Sequence, residues 1–379
     1  MGKLKNLTIV FDGNVDVFSP GDVIRGQVIL LIEADTERGL DNIKGIWLRF
    51  IGGARIACQS GNAGTKDEGY FDTTQILFGT GPDTTDVRSL NIAPGQQVFP
   101  FAIRLPDKLL PVAFEEQLGC VRYQVKATLS LIRSLRNYKE YRTEKYFSVI
   151  GPAVDLNTIS GLKMPMTCDV TTRGWFGLGP PVATLSLTMP KQGYVPGESV
   201  NLTGRIDNRK GDDQFSIRVK LIQEIQFSFP TSPIYVERVL AKIDSKVICP
   251  KGRISNFTIG PLRIPPVPSS GLPGCDLINI EYFILCKDRK FTLTIGTVPL
   301  RNAGTSRRRV PRTTDRTRTP SAPPEELDDD APPSYEQVVS VTDRIAYEMT
   351  KEDFQSEGEF LPRYTYFARM GDFAFASHR

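Results

Sequence analysis

The chain has 379 residues, 24% of them charged, with 47 basic against 43 acidic side chains and a net charge of +4. Such a length suits two domains and a tail, and the near balance of charge argues against a protein dominated by nucleic-acid affinity. Its single histidine, His378, is the penultimate residue, which removes histidine-based nucleophile systems and histidine-ligated metals from any folded core.

No stretch approaches the roughly 18 consecutive apolar residues of a membrane span, and the start, MGKLKNLTIVFDGNVDVF, lacks the apolar segment of a secretory signal. A cytoplasmic protein is expected. Gly2 is not a myristoylation site on this reading, because position 6 is Asn6 where that motif wants Ser or Thr. The cysteines, at 58, 120, 168, 249, 275 and 286, never form a C-x-x-C pair. Free thiols in a reducing compartment are expected, with no metal and no cofactor.

In chain order, LTIVF and GQVILLI are β-branched apolar runs bounded by the turn-forming clusters DGN and SPGD. The glycine-rich IGGARIACQSGNAGTKDEG, residues 51–69, reads as a surface loop. Over 121–131, VRYQVKATLSL places Val121, Tyr123, Val125, Ala127, Leu129 and Leu131 on one face of a half-buried strand. Residues 151–181 read as a linker with little core of its own, in which Trp175 and Phe176 are expected to pack at the domain junction. The run IRVKLIQEIQFSF, residues 217–229, alternates in the same way apart from Gln223. No segment of comparable length shows an apolar stripe of helical period. Many short strands between turn signals predict all-β sandwiches.

An internal repeat divides the chain. Pro20-Gly21 returns as Pro196-Gly197, FAIRLP returns as GPLRIP, and VRYQV returns as IEYFI with Tyr282 in the place of Tyr123. Two related sandwiches in tandem follow. The boundaries are 1–152 for the first domain, 153–179 for the linker, 180–300 for the second domain and 301–379 for a tail. Residues 301–320 of that tail carry seven arginines and one aspartate, and 321–330 carry five acidic residues and no basic one. Such a segment cannot bury enough apolar surface to offset its ordering entropy, so a disordered tail is expected.

The ordered set FSPGDVIRGQV, IKGIWLRFIGGARI, FAIRLP, GCVRYQVKATL, DLN at 155–157, GYVPGESV and PLRIPPVP resembles the arrestin domain-containing proteins, or α-arrestins, over roughly residues 3–300. The resemblance implies two arrestin-like (immunoglobulin-like) β-sandwiches back to back and no active site. IEYFILCKDRK departs from the pattern as a polar version of its strand.

In the tail, Pro332-Pro333-Ser334-Tyr335 matches P-P-x-Y, the extended ligand type that WW domains hold in an aromatic groove. Leu361-Pro362-Arg363-Tyr364 looks like a degenerate second copy, or else part of a terminal aromatic cluster. The resemblance implies that such motifs recruit WW-containing HECT-type ubiquitin ligases to the cytosolic regions of membrane receptors or transporters. The protein would then work in the cytoplasm, peripherally at the plasma membrane and endosomes, in endocytosis and sorting. Arg307, Arg308, Arg309 and Arg312 read as a solvated stretch, a contact for anionic lipid head groups or a nuclear-import signal. A coat component like the arrestin-like retromer subunit is the alternative to the adaptor. A carboxylate-dependent hydrolase is a third reading, since paired acids are not identifiable by eye.

Overall fold

The computed structural model describes residues 3–33, 39–58, 64–84, 88–134, 137–173, 181–301 and 360–367. The first sandwich runs β1 (Lys3–Phe11), β2 (Val17–Phe18), β3 (Val23–Glu33), β4 (Leu40–Cys58), β5 (Gly64–Gly79), β6 (Leu90–Ile92), β7 (Gly95–Arg104), β8 (Phe114–Glu116), β9 (Gly119–Ser134) and β10 (Asn137–Val149). The second runs β11 (Met166–Arg173), β12 (Pro181–Met189), β13 (Gly193–Tyr194), β14 (Ser199–Asn208), β15 (Gln214–Phe227), β16 (Ile234–Ile248), β17 (Arg253–Arg263), β18 (Ile278–Cys286) and β19 (Arg289–Ile295).

The two share one topology. The order β1-β3-β7 in one sheet and β2-β10-β9-β4-β5 in the other returns as β12-β14-β17 and β13-β19-β18-β15-β16. Each sandwich has a short parallel pairing at the equivalent place, Val17 with Ser148 on β2 and β10, and Gly193 with Thr294 on β13 and β19.

The alternation read from the sequence is the alternation of burial, except that Thr128 and Ser130 on the opposite face of β9 are buried too. On β9 the six residues Val121, Tyr123, Val125, Ala127, Leu129 and Leu131 face the core and are buried, as are Ile217, Val219, Leu221, Ile225 and Phe227 on β15. In the first sandwich, Phe11, Phe18, Phe101, Phe147 and Tyr123 interlock, with Phe11 and Phe18 edge to face at a centroid separation of 5.8 Å. Such contacts favour one packing arrangement over its alternatives.

Gln223, the polar exception, is buried with a partner. Its Nε2 donates to the Tyr282 hydroxyl at 3.0 Å, which in turn donates to the Pro268 carbonyl at 2.8 Å. Tyr123, the repeat equivalent of Tyr282, donates to the Pro111 carbonyl at 2.7 Å. Both copies therefore use a core tyrosine to satisfy a buried proline carbonyl that has no strand to pair with. The Pro-Gly pairs are turns in both copies. Asp22 N–H donates to Ser19 O and Glu198 N–H to Val195 O, each at 3.1 Å, with Gly21 and Gly197 at φ 84° and 96°. Glycine accepts that left-handed backbone without strain, as the third residue of a type II turn must.

Three expectations are corrected. Residues 51–69 are not mainly a loop but the β4–β5 hairpin, whose register runs from Gly45 with Gly79 to Cys58 with Gly64. Gly52 is there for space, since a Cβ would stand 2.5 Å from the Phe71 ring and 2.7 Å from the Tyr123 ring. The extra length of the first copy lies largely in 80–94, which joins β5 to β7, where 249–252 suffices between β16 and β17. The stretch 153–179 is not all linker, because β11 hydrogen-bonds along β12 from Met166 with Met189 to Thr172 with Ala183. Its sequence, MTCDVTTR, offers few apolar residues because it is an outer strand of its sheet. Finally, β18 is apolar where it matters. Ile278, Ile280, Tyr282, Phe283, Ile284 and Cys286 are buried, while Glu281 lies on the exposed face of β18 and the other polar residues belong to the turn at Lys287, whose φ is 53°, and to the start of β19.

The tyrosine anchors generate a graded prediction. Tyr123→Phe leaves one buried carbonyl unpaired and should cost about 1–3 kcal/mol of unfolding free energy. Tyr282→Phe strands both the Pro268 carbonyl and the Gln223 amide, so it should cost more, and adding Gln223→Leu should recover part of the loss. Urea unfolding of the three variants checks the order. A Tyr282→Phe variant no weaker than Tyr123→Phe would show that the Gln223 contact contributes nothing.

Candidate functional site at the domain seam

The buried apolar residues of the two sandwiches form one continuous cluster. The seam also carries charge. On β8, Glu115 and Glu116 are adjacent carboxylates with side chains only 8% and 6% exposed. Glu115 takes a bidentate contact from Arg122 of the same domain, Nε to Oε1 at 2.5 Å and Nη2 to Oε2 at 2.7 Å. Glu116 pairs with Arg238 of β16, across the seam. Burial pushes the Glu115 carboxyl up from its ordinary value, opposed by Arg122, and the bond to Glu115 raises the Arg122 guanidinium. Elsewhere on the seam the Glu68 carboxylate accepts the Asp276 N–H at 3.0 Å.

The crossover between the domains is fastened to the end of the second. Asp155 accepts the Asn157 N–H at 2.8 Å, and that bond lowers its pKa. Asn157 then donates from Nδ2 to the Pro299 carbonyl and accepts from the Arg301 N–H, each at 2.8 Å. The DLN triplet thus holds the point from which the tail departs.

The tail comes back to this seam. Residues 360–367 pack against both domains, although they lie within the stretch 301–379 expected to be a disordered tail. On the first domain, Phe360 packs on Tyr146 at a centroid distance of 5.4 Å, the Arg363 N–H donates to Ser148 Oγ at 3.3 Å, and the Arg363 guanidinium pairs with Asp16 at 3.1 Å. On the second, the Phe367 N–H donates to the Pro196 carbonyl at 3.0 Å and Arg263 lies 5.5 Å from the centre of the Tyr366 ring. Phe367 joins Leu300 in packing on Leu156, Leu162 and Val195. Tyr366 is buried and Tyr364 half-buried. Desolvation raises the Tyr364 phenol, with Glu115 adding to the shift and Arg238 opposing it. Gly197 is needed here a second time, since a Cβ would meet the Phe367 carbonyl oxygen at 2.3 Å.

Of the residues singled out in the sequence, Leu361, Pro362 and Tyr364 are thus placed at the seam, with Leu361 52% exposed and Pro362 half-buried. Pro332, Pro333 and Tyr335, the arginines 307, 308, 309 and 312, and Trp175 and Phe176 lie outside the described residues. Asp16, Ser148 and Arg263 were not legible as partners of the tail, because nothing local to them signals a contact more than 100 residues away. Among the described residues no group of three or more His, Cys, Asp or Glu is placed to hold a metal ion. No helix among them is long and apolar enough to cross a membrane.

Two family matches cover most of the body. Residues 7–157 match "Arrestin (or S-antigen), N-terminal domain" and residues 182–287 match "Arrestin (or S-antigen), C-terminal domain". Among curated proteins, the chain is 26% identical over 339 residues to human "Arrestin domain-containing protein 1", covering 86% of this chain and 73% of that protein. Its rat counterpart is 26% identical over 304 residues, 79% of this chain and 64% of the relative. Mouse "Arrestin domain-containing protein 4" is 26% identical over 359 residues, 89% of this chain and 83% of the relative. With both arrestin domains matched in order, and the same topology drawn twice by its strands, the chain belongs to the arrestin domain-containing, or α-arrestin, family of arrestin-like adaptors.

Proposed function

We propose that this chain joins membrane-protein cargo to WW-domain HECT-type ubiquitin ligases, so that the cargo is ubiquitylated, internalised and sorted at endosomes. The observation that carries the reading is Pro332-Pro333-Ser334-Tyr335 placed after a two-domain arrestin body. Prolines lower the ordering cost of the extended segment and lay flat rings on a WW groove, while Tyr335 fills a separate pocket. Catalysis belongs to the ligase. The adaptor contributes proximity, which raises the effective concentration of cargo near the ligase without any chemical group of its own.

Leu361, Pro362 and Tyr364 form a second, weaker WW site on this reading, so that tandem WW domains gain avidity when both motifs are engaged. The cytoplasm is the place of action, peripherally at the plasma membrane and endosomes. There Arg307, Arg308, Arg309 and Arg312 add a contact with anionic head groups, each arginine near such a surface contributing about 1 kcal/mol.

Two measurements test this. Calorimetric titration of a WW-domain array from a HECT-type ligase into the full chain should give micromolar or tighter binding, and Tyr335→Ala should weaken it at least about tenfold, or 1.4 kcal/mol. Binding that is absent, or indifferent to Tyr335→Ala and to Tyr335→Ala/Tyr364→Ala, would overturn the ligase reading. For the arginines, replacing all four by Ala should weaken co-sedimentation with phosphatidylserine vesicles about a hundredfold or more at low salt, leaving the small binding to phosphatidylcholine vesicles unchanged. Equal sedimentation of both proteins with phosphatidylserine would remove the lipid contact.

A further inference from the structure

The docked segment FLPRYTYF, residues 360–367, is an occupied peptide site. Its contacts have the features of recognition rather than of incidental collapse. Two backbone N–H groups of the segment, those of Arg363 and Phe367, are each taken by a specific acceptor, Ser148 Oγ on the first domain and the Pro196 carbonyl on the second. One charge is matched, Arg363 by Asp16. Aromatic side chains seat at both ends, Phe360 on Tyr146 and Phe367 on the Leu156, Leu162 and Val195 cluster. The body is shaped for it as well, since any side chain at position 197 would strike the Phe367 backbone.

The same eight residues contain the second WW-type motif. A WW domain needs the motif free of the body, with proline rings laid on its groove and the tyrosine ring in its own pocket. In the docked state Pro362 and Tyr364 are partly covered, and the backbone between them is held through the Arg363 N–H.

We propose that the seam between the two arrestin domains is a docking groove for an extended, aromatic-rich peptide, that its resident ligand is Phe360–Phe367 of the same chain, and that this latch keeps a WW domain from Leu361-Pro362-Tyr364 until it is released. The gating half rests on the second-motif reading given above; the latch itself does not. Docking is intramolecular, so it needs no partner to be present. Release would uncover the seam beside Asp16, Tyr146 and Arg263, the surface that joins the two domains. A WW domain that engages the second motif therefore changes what the body presents at its junction. The latch reduces apparent affinity in proportion to the released fraction, so a segment released one time in about ten shows a WW affinity about tenfold weaker than its free peptide.

The test uses Tyr366→Ala/Phe367→Ala in the full chain, which removes one buried and one half-buried anchor of the latch while leaving residues 361–364 and both sandwiches intact. In hydrogen–deuterium exchange, peptides covering 360–367 should be slow in the wild type and at least about tenfold faster in the double variant, and Asp16→Lys should produce the same change from the body's side. Fast exchange of 360–367 in the wild type overturns the latch. For the gate, WW-array affinity is measured in a Tyr335→Ala background, where it should rise about tenfold when the two aromatics are removed. Unchanged affinity, with a synthetic 356–370 peptide binding the array, overturns the gate. If that peptide binds no WW domain while 360–367 exchanges slowly, the gate falls with the second-motif reading and the latch stands.

Discussion

Two adjacent carboxylates on one short strand organise the junction of this molecule. Glu115 and Glu116 lie almost fully out of water, and each is held by an arginine, the first by Arg122 within its own domain and the second by Arg238 from the other. A buried ion pair is a poor source of net stability, because desolvating both charges offsets most of their attraction. The upward shift of the Glu115 carboxyl has this origin, with burial outweighing the arginine beside it. What such a pair does supply is position. Removing one member would leave an unmatched charge in the seam, at a cost of about 3–5 kcal/mol, so the crossing Glu116–Arg238 pair holds the domains in the arrangement that matches it, while Glu115–Arg122 fixes β8 within its own domain. The apolar cluster that runs continuously between them gains its burial in that same arrangement.

Around this constraint the duplicated fold is used asymmetrically. The Pro-Gly turn of the first copy packs within its own domain, where a side chain at Gly21 would have Asp107 as its nearest neighbour at van der Waals distance. The equivalent turn of the second copy carries the Pro196 carbonyl and the bare Gly197 backbone against which Phe367 lies. The paired short strands diverge similarly. Ser148, on β10 beside β2, accepts a bond from the tail. Duplication supplied two copies of one turn, and the described segment of the tail, residues 360–367, makes a contact out of the second.

Much of the body was legible because its information is local. Strand faces, the Pro-Gly turns and the equivalence of Tyr123 and Tyr282 follow from period-two alternation and from repeat alignment, and even the discordant Gln223 marked a real feature. The errors came where a residue type serves a distant partner. Gly52 looks like loop composition, yet it clears space for two aromatic rings within a strand. The polar strand β11 looks like linker because an outer strand has little to bury on one side. Leu361, Pro362 and Tyr364 were recognised as a motif, but their place on the body depends on Asp16, Ser148 and Pro196, which carry no signature of that contact.

The tail leaves the body and packs back onto it at neighbouring points, and this has a consequence for how the adaptor can vary. Arg301 leaves the body held by Asn157, one residue from Leu156, and Phe367 returns onto the cluster that contains Leu156 and packs with Leu300. The stretch 302–359 thus runs between two fixed points of the body, Arg301 at the interdomain crossover and Phe360 on Tyr146 of β10. The entropy of closing a chain grows only with the logarithm of its length, so doubling the number of residues costs about 0.6 kcal/mol. Motifs can be inserted, lost or moved within that stretch with little effect on whether 360–367 docks. The groove and its resident segment thus form a module separable from the P-P-x-Y motif, and residues 302–359 can diverge in length while the seam, the DLN crossover and the docked aromatic residues stay matched to one another.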